Sequence, residues 1–456
     1  MNTLRIQLDA VQLKHSNIRS LQAKHVKSPA MRRSTQKTTT MVLSVDTTTD
    51  LKAAQRTTLN KSIKLADPIP EAGISRAVEL MESGRLFRFD RDADTLDEVS
   101  RCEVDIAKYM DFSYAVGMNS CGSAIYLAMK AIGVQPGDKV LSNAFTFTAV
   151  PSAIVHAEAE PVYVDCEDNY ILDLEDLERK IKSSGAKWLV VSHMRGKVSD
   201  MDAITELCAQ HGVRFIEDCA HSLGVMWNGT HSGHHGEIAC ISAQSYKLLN
   251  SGEGGFALSD DDDLAAKLIM YTGAYEKLYK NHALRPADEV FERLKAEMIP
   301  PNYSMRMTNL TAAIIRPQIE TIEYRVNRYN TRYEKVEALL NDLPHITVPK
   351  QLEQIRPVCD TIQFNLYDLT PEQVETFLQE SAAHGVKLEI FGAAENARNF
   401  RNWTFSKVPE DCSKTEAIIG MAVDCRLPAA FDDEDFDVMC QVIKESMEVV
   451  TKAASA

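Results

Sequence analysis

Two ionisable side chains stand where a folded α/β chain usually exposes its chemistry. Lys247 follows the apolar run Glu237-Ile238-Ala239-Cys240-Ile241-Ser242 through Ala243-Gln244-Ser245-Tyr246, and leads into Asn250-Ser251-Gly252-Glu253-Gly254-Gly255. A lysine held at a strand exit beside glycines can approach a bulky planar ligand closely, and desolvation there lowers its pKa toward the neutral amine that Schiff-base chemistry requires. Asp218 closes the run Arg214-Phe215-Ile216-Glu217, ahead of Cys219-Ala220-His221. In open α/β sheets, ligands sit at the carboxyl ends of strands, so an acid there faces the crevice. Taken singly, the lysine also reads as an exposed loop residue and the aspartate as a helix cap. The third element is Asn119-Ser120-Cys121-Gly122-Ser123, just before a helical run that begins Ala124-Ile125-Tyr126-Leu127. Small and hydroxyl residues at a helix start leave backbone N–H groups free for an anion, although a plain N-cap at Ser120 or Ser123 accounts for the same residues. The combination of carboxylate, lysine and a turn that fits a phosphate carries more weight than any one of them.

Other constellations are weaker. His231-Ser232-Gly233-His234-His235 lacks cysteine partners at zinc-ligand spacing, so no metal is expected there. Asp260-Asp261-Asp262-Asp263 has no calcium-loop pattern and suits a helix N-terminus, which favours acids. No G-x-G-x-x-G follows a strand run, which removes the usual signal for a nicotinamide dehydrogenase.

The elements that must position these residues are legible in the hydrophobic pattern. Lys139-Val140-Leu141, Trp188-Leu189-Val190-Val191 and Arg214-Phe215-Ile216 read as buried strands, and Ser123 to Ile132 and Asp202 to Gln210 as helices between them. That alternation predicts an α/β fold with a mostly parallel sheet covered on both faces. Folding is expected to begin near Ala66-Asp67-Pro68, with a first helix from Ile74 to Met81 ending at Ser83-Gly84. A long helical stretch, Ile319 to Leu340, reads as the entry to a smaller α+β domain. The expected organisation is an N-terminal segment over residues 1–64, a large domain over 65–320 and a small domain over 321–456.

Composition limits the alternatives. The 456 residues carry a formal charge of -15, which disfavours nucleic acid and anionic membrane as partners. No run approaches the roughly eighteen apolar residues of a membrane-spanning helix. The 10 cysteines are scattered, none at C-x-x-C spacing, which is the pattern of a reducing, intracellular compartment. Through Thr40 the chain carries Arg5, Lys14, Arg19, Lys24, Lys27, Arg32, Arg33 and Lys37 against the single acid Asp9, with the hydroxyl runs Thr38-Thr39-Thr40 and Thr47-Thr48-Thr49. This balance suits an organellar transit peptide, for plastid or mitochondrion; a disordered tail or a start at Met41, in a cytoplasmic protein, are the other readings.

A set of short segments then recurs in a fixed order. They include Gly137-Asp138-Lys139-Val140, Phe145-Thr146-Phe147, His193-Met194-Arg195-Gly196, Asp200-Met201-Asp202, Glu217-Asp218-Cys219-Ala220-His221, Ser242 to Lys247, Gly252-Glu253-Gly254-Gly255 and Arg306-Met307-Thr308. The ordered set resembles the DegT/DnrJ/EryC1/StrS family of aminotransferases, clearly from about Leu65 to Asn330 and loosely beyond. The resemblance implies an aspartate-aminotransferase-like fold, with a mostly parallel seven-stranded sheet and a smaller C-terminal α+β domain. It also implies the cofactor pyridoxal 5'-phosphate (PLP), glutamate or glutamine as amino donor, a keto-sugar or cyclitol acceptor, and a homodimer with shared sites.

By the same resemblance Lys247 would be the Schiff-base lysine and proton carrier, and Asp218 would hold the pyridine nitrogen. Phe147 would stack on the ring, His221 would lie near the ring hydroxyl, and Gly122, Ser123 and Ser242 would hold the phosphate. Arg306, with Ser304 at a position that is asparagine in the family, would enter the neighbouring subunit's site. The family's usual small-domain motif for nucleotide sugars is replaced by Leu388-Glu389-Ile390-Phe391-Gly392 and Asn396-Ala397-Arg398-Asn399-Phe400-Arg401-Asn402-Trp403. Arg398 and Arg401 could clamp a carboxylate, sulfonate or phosphate, or lie on a solvated face with Phe400 and Trp403 packed inward; a small α-keto acid substrate is the alternative that this segment favours. Borohydride reduction of the PLP-loaded protein followed by peptide mapping is expected to label Lys247, and Lys247→Ala to abolish transamination; a label on another lysine overturns the assignment.

Overall fold

The computed structural model describes residues 56–92, 95–297, 301–409 and 411–454. The basic tail and the roles expected of it lie outside the described residues. From Tyr114 the chain lays down β1 (Tyr114–Met118), β2 (Lys139–Asn143), β3 (Glu160–Val164), β4 (Trp188–Ser192), β5 (Arg214–Asp218), a short hairpin β6 (Met226–Trp227) and β7 (Thr230–His231), then β8 (Ala239–Ser242) and β9 (Gly255–Ser259). Without the hairpin, these form a seven-stranded sheet in the order β1-β9-β8-β5-β4-β2-β3. β9 runs antiparallel to both of its neighbours, and every other neighbouring pair is parallel. The expected mostly parallel, seven-stranded α/β sheet is therefore present.

Both faces of this sheet are buried, which is why its strands read as continuous apolar runs. Leu189 and Val191 of β4 enter one core with Leu141 and Phe256, while Val190 between them enters another with Val140, Ile216 and Cys240. Helices must cover both faces to make this possible. The helix that matters most for the site, Cys121–Ile132, starts at the N-cap Ser120 and stops at Gly133, whose left-handed φ of 110° suits glycine.

The C-terminal part builds β10 (Ile346–Thr347), β11 (Ile355–Arg356), β12 (Thr361–Leu366), β13 (Glu389–Ile390) and β14 (Ala422–Arg426). An antiparallel sheet in the order β10-β12-β14-β13 is backed by helices Pro371–Ala383 and Asp433–Ala454, through Phe377, Phe436, Met439 and Ile443. β11 instead pairs with β6, so a strand from beyond residue 321 completes a small sheet with the hairpin. The long helix expected over Ile319 to Leu340 is present as Ile322–Asn341, and a separate helix, Asn309–Ile319, ends just ahead of it. Pro317 lacks the N–H that would continue the ladder, and Thr321 folds back onto Gln318 O through its N–H (3.2 Å) and its hydroxyl (3.0 Å).

Folding also begins earlier than Leu65. Leu59 and Ile63 are buried in the core of the C-terminal sheet, the Leu59 N–H donates to His384 O at 2.9 Å, and Thr57 donates through its hydroxyl and N–H to Glu445. Gly385 accommodates this strap: its φ is +92°, and a Cβ there would lie 2.0 Å from Leu59 O. Two apolar residues in a polar stretch give too little periodicity to mark an element, so only the packing shows the segment to be structural. Leu59→Ala is expected to lower the unfolding free energy by about 2–3 kcal/mol in denaturant titration. A chain starting at Leu65 should melt below one starting at Arg56, and equal melting would show that the strap contributes nothing.

Candidate active site

The carboxyl ends of β1, β5 and β8 surround a cavity of about 430 Å³ lined by Ser120, Cys121, Gly122, Phe147, Asp218, His221, Ser242 and Lys247, with Arg398 and Arg426 from the C-terminal part. Lys247 sits in the loop joining β8 to β9. The loop is closed on itself: the Ala243 N–H donates to Gly254 O at 2.9 Å, Ser251 N–H to Ala243 O at 2.9 Å, and Ser245 N–H to Gly252 O at 3.1 Å. That closure fixes the lysine, whose Nζ lies 2.7 Å from His221 Nε2. Burial, with the nearby charge of Arg195, pushes the Lys247 amine down to about 7. Burial, then the positive charge of Lys247, holds the His221 imidazole well below its ordinary value. An amine lowered this far keeps a substantial neutral fraction near neutral pH.

Asp218 ends β5 and is buried. Its Oδ2 accepts from Ser192 Oγ at 2.8 Å, and Ser192 Oγ accepts in turn from Thr146 Oγ1 at 2.7 Å. Asn143 holds the Ser192 backbone from both sides, accepting from its N–H at 2.9 Å and donating to its carbonyl at 3.2 Å. The Ala220 N–H reaches Asp218 Oδ1 at 3.1 Å. The carboxylate is thus aimed by a relay from β2 and β4 while bordering the cavity.

The preceding residue, Glu217, points to the opposite face and has a structural task. Its two oxygens accept from His193 Nε2 and from the N–H groups of Gly233, His235 and Gly236, at 2.6–2.9 Å. Burial raises this carboxyl, but the His193 contact and the backbone N–H donors together outweigh it and the acid is held low. This is the role of the His231 to His235 turn, whose imidazoles diverge: His234 stacks on Phe112 and bonds Met110 O, and His231 lies against Tyr109. His193, Glu217 and Cys219 lie close enough to hold an ion, but the four hydrogen bonds already occupy the carboxylate.

The anion cradle is built by close approach. Ser120 Oγ accepts from the Ser123 N–H at 3.1 Å, and the Ser123 hydroxyl donates to Asn119 Oδ1 at 2.7 Å, so Ser123 belongs to the cap and does not line the cavity. Gly122 does line it. The helix start rests directly on β9 at Gly255, where a Cβ would fall 2.6 Å from the Cys121 nitrogen. First-turn N–H groups without an i−4 carbonyl inside the helix, together with the Ser242 hydroxyl, give the donors a phosphate requires. With Phe147 as an exposed aromatic wall and Asp218 deep in the cavity, the residues present fit PLP.

Lys247, Asp218, His221, Gly122, Phe147 and Ser242 therefore converge as the sequence led us to expect. Ser304 and Arg306 do not line this cavity; Arg306 donates to Gly273 O at 3.1 Å, and its guanidinium lies 5.6 Å from the Phe87 ring centre. Of the two readings of this segment, the inward packing of Phe400 and Trp403 is present and a joint clamp by Arg398 and Arg401 is not. Arg401 makes a bidentate pair with Glu416 at 2.9 and 2.6 Å, while Arg398 faces the cavity. Phe400 and Trp403 are buried between helix and sheet, and the short turn Phe400–Asn402 sends the two arginines apart. Three contributors escaped the sequence reading: Ser192, Arg426 and the buried ion pair of Arg195 with Asp424. Arg195 stood in a recognised segment, but nothing local signalled a partner 229 positions away.

Comparison with known proteins identifies the family. A spore coat polysaccharide biosynthesis protein of Bacillus subtilis is 29% identical over 281 residues, 60% of this chain and 69% of its own. The GDP-perosamine synthase of Vibrio cholerae is 31% identical over 247 residues, 54% of this chain and 63% of its own, so the chain matches about two thirds of these relatives' length. Among solved structures, 3-amino-5-hydroxybenzoic acid synthase superposes with a TM-score of 0.72 at 21% identity, covering 84% of this chain and 98% of that one. A Streptococcus pneumoniae protein in its PLP form gives a TM-score of 0.69 at 21% identity, covering 84% and 98%. These two show the fold, and the DegT/DnrJ/EryC1/StrS aminotransferase profile matches residues 85–444, so the chain belongs to that family.

Proposed function

We propose that this chain is a PLP-dependent aminotransferase that takes its amino group from glutamate or glutamine and delivers it to a keto-sugar or cyclitol. The single observation that carries the reading is the convergence in one cavity of Lys247, Asp218 and a helix start suited to phosphate. When bound, PLP supplies an electron-withdrawing ring to a carbon that must lose or gain a proton. The chain's own residues do the rest. Asp218, aimed by Ser192 and Thr146, sets the charge at the pyridine nitrogen. Phe147, on the cavity wall, would cover one face of the ring. Lys247 Nζ, deprotonated in part at neutral pH, takes and returns the proton, and His221 at 2.7 Å fixes its direction. The sugar-type acceptor is supported by relatives that make GDP-perosamine and spore coat polysaccharide.

The pH dependence has a definite sign. Lys247 is lowered to about 7, so its reactive neutral form increases as pH rises through that value. Capture of PLP by the apoprotein, followed by absorbance, should accelerate from pH 6 toward a plateau above roughly pH 8. Removing the neighbouring positive charge in Arg195→Gln should move that midpoint upward. A capture rate independent of pH over this interval would refute the role of a neutral amine.

The same reading includes a homodimer with shared sites. Ile74, Val78 and Met81 are exposed at helical spacing on helix Glu71–Ser83, near the chain position of exposed Leu86 and Phe87. Arg306 lies over Phe87 and Tyr275, both exposed, and not in its own cavity, which suits a residue that serves a neighbouring subunit. Mixing inactive Lys247→Ala with an inactive Arg306→Ala variant should restore up to about a quarter to a half of the activity through hybrid dimers. A fully active monomer by light scattering, or no recovery from two inactive partners shown to exchange, rules the shared site out.

A further inference from the structure

The cavity holds more positive charge than the cofactor site accounts for. Arg398 and Arg426 both line it, and neither guanidinium has an ion pair or hydrogen-bond partner among the described residues; Arg398 Nε is buried without one. Each is carried by an aromatic ring at the cavity wall. The Arg398 guanidinium lies 5.6 Å from the Phe147 ring centre, and that of Arg426 lies 4.7 Å from the Tyr246 ring centre, beside Lys247. Such contacts hold a guanidinium plane in place but do not neutralise it.

Asp424, Glu389 and Asp360, the acids that act on these arginines through their charge, are paired with other groups or buried, and Glu253, also on the cavity wall, is exposed and pairs with neither arginine. Asp424 gives one oxygen to Arg195 and the other to Gln363 Nε2 at 2.9 Å. Glu389 pairs with Lys64 at 3.1 Å. Burial pushes the Asp360 carboxyl up, toward its neutral form, against the pull of Arg195 and Arg426. A partly enclosed guanidinium without a counter-charge is costly, and it is retained where an anionic ligand completes it. The helix start at Ser120 to Gly122 is a separate set of donors on a separate element, already suited to the cofactor phosphate.

We propose that Arg398 and Arg426 form an oxyanion subsite for the substrate, taking a carboxylate or phosphate group while the reacting carbon faces Lys247. The proposal rests on the aminotransferase reading and gives an acidic group of the donor or of the acceptor its place in the cavity. Arg426 at the end of β14 and Arg398 in the segment after β13 supply two planar forks from different parts of the C-terminal sheet, which suits bidentate capture. Arg401, committed to Glu416, takes no part.

The test is calorimetric binding of glutarate, its uncharged diamide and inorganic phosphate to the PLP-loaded protein. Wild type should bind one or both anions, and Arg398→Gln and Arg426→Gln should each weaken that binding about tenfold or more without affecting the diamide. Arg398→Lys, which keeps the charge but not the fork, should fall between, and it serves if a glutamine variant fails to fold. A greater loss for glutarate assigns the subsite to a carboxylate substrate, such as a dicarboxylic amino donor; a greater loss for phosphate assigns it to a phosphorylated acceptor. Binding of both anions within twofold of wild type in the folded variants, or none to wild type, overturns the proposal. Borohydride fixation of PLP in the same preparations separates the two readings. A missing label on Lys247 refutes the aminotransferase reading, whereas a label with unchanged anion binding refutes only the subsite.

Discussion

The buried ion pair between Arg195 and Asp424 is the interaction on which the site most depends. Arg195 follows β4 in a left-handed conformation, φ 57°, that a residue other than glycine adopts at a cost. Its guanidinium crosses to β14, where Asp424 is also held by Gln363 of β12. A buried pair of this kind adds little net stability, because desolvating both charges consumes most of the attraction, yet losing either partner leaves the other uncompensated. Its effect is positional: it pins the C-terminal sheet to the carboxyl end of the parallel sheet, where the cavity lies.

Electrostatic consequences spread from that contact. The charge of Arg195 adds to burial in depressing Lys247, so one pair both holds two sheets in register and prepares an amine to react at neutral pH. Because Asp424 is saturated, it cannot quench Arg398 or Arg426. The acid that does face the cofactor position, Asp218, is oriented by hydroxyl and amide groups of β2 and β4, not by a cation. The buried negative charge of the cavity therefore lies at Asp218, the exposed Glu253 lies at its wall, and the two arginines there are left without a partner.

Close backbone packing sets the remaining geometry. Gly255 lets the helix at Cys121 rest on β9, and Gly385 lets the Leu59 strap cross the C-terminal region. A methyl group at either place would drive these segments apart. The first contact brings phosphate donors over the sheet; the second extends the C-terminal core to residues that precede the first helix.

Sequence by itself determined the elements and the chemistry close to them. Apolar runs buried on both faces, capping residues and the order of short segments identified the parallel sheet, Lys247, Asp218 and the Ser120 to Ser123 turn, because each of these signals is written within a few residues of the group it concerns. Tertiary structure decided everything that needed distant partners. It separated Arg398 from Arg401, turned Ser123 into its cap, and moved the start of the fold back from Leu65 into the strap. It also brought Arg426 into the cavity and joined Arg195 to Asp424 across 229 positions. Periodicity reports which face of an element is buried but not what lies opposite it, so the charge balance of the cavity exists only once the two sheets have met.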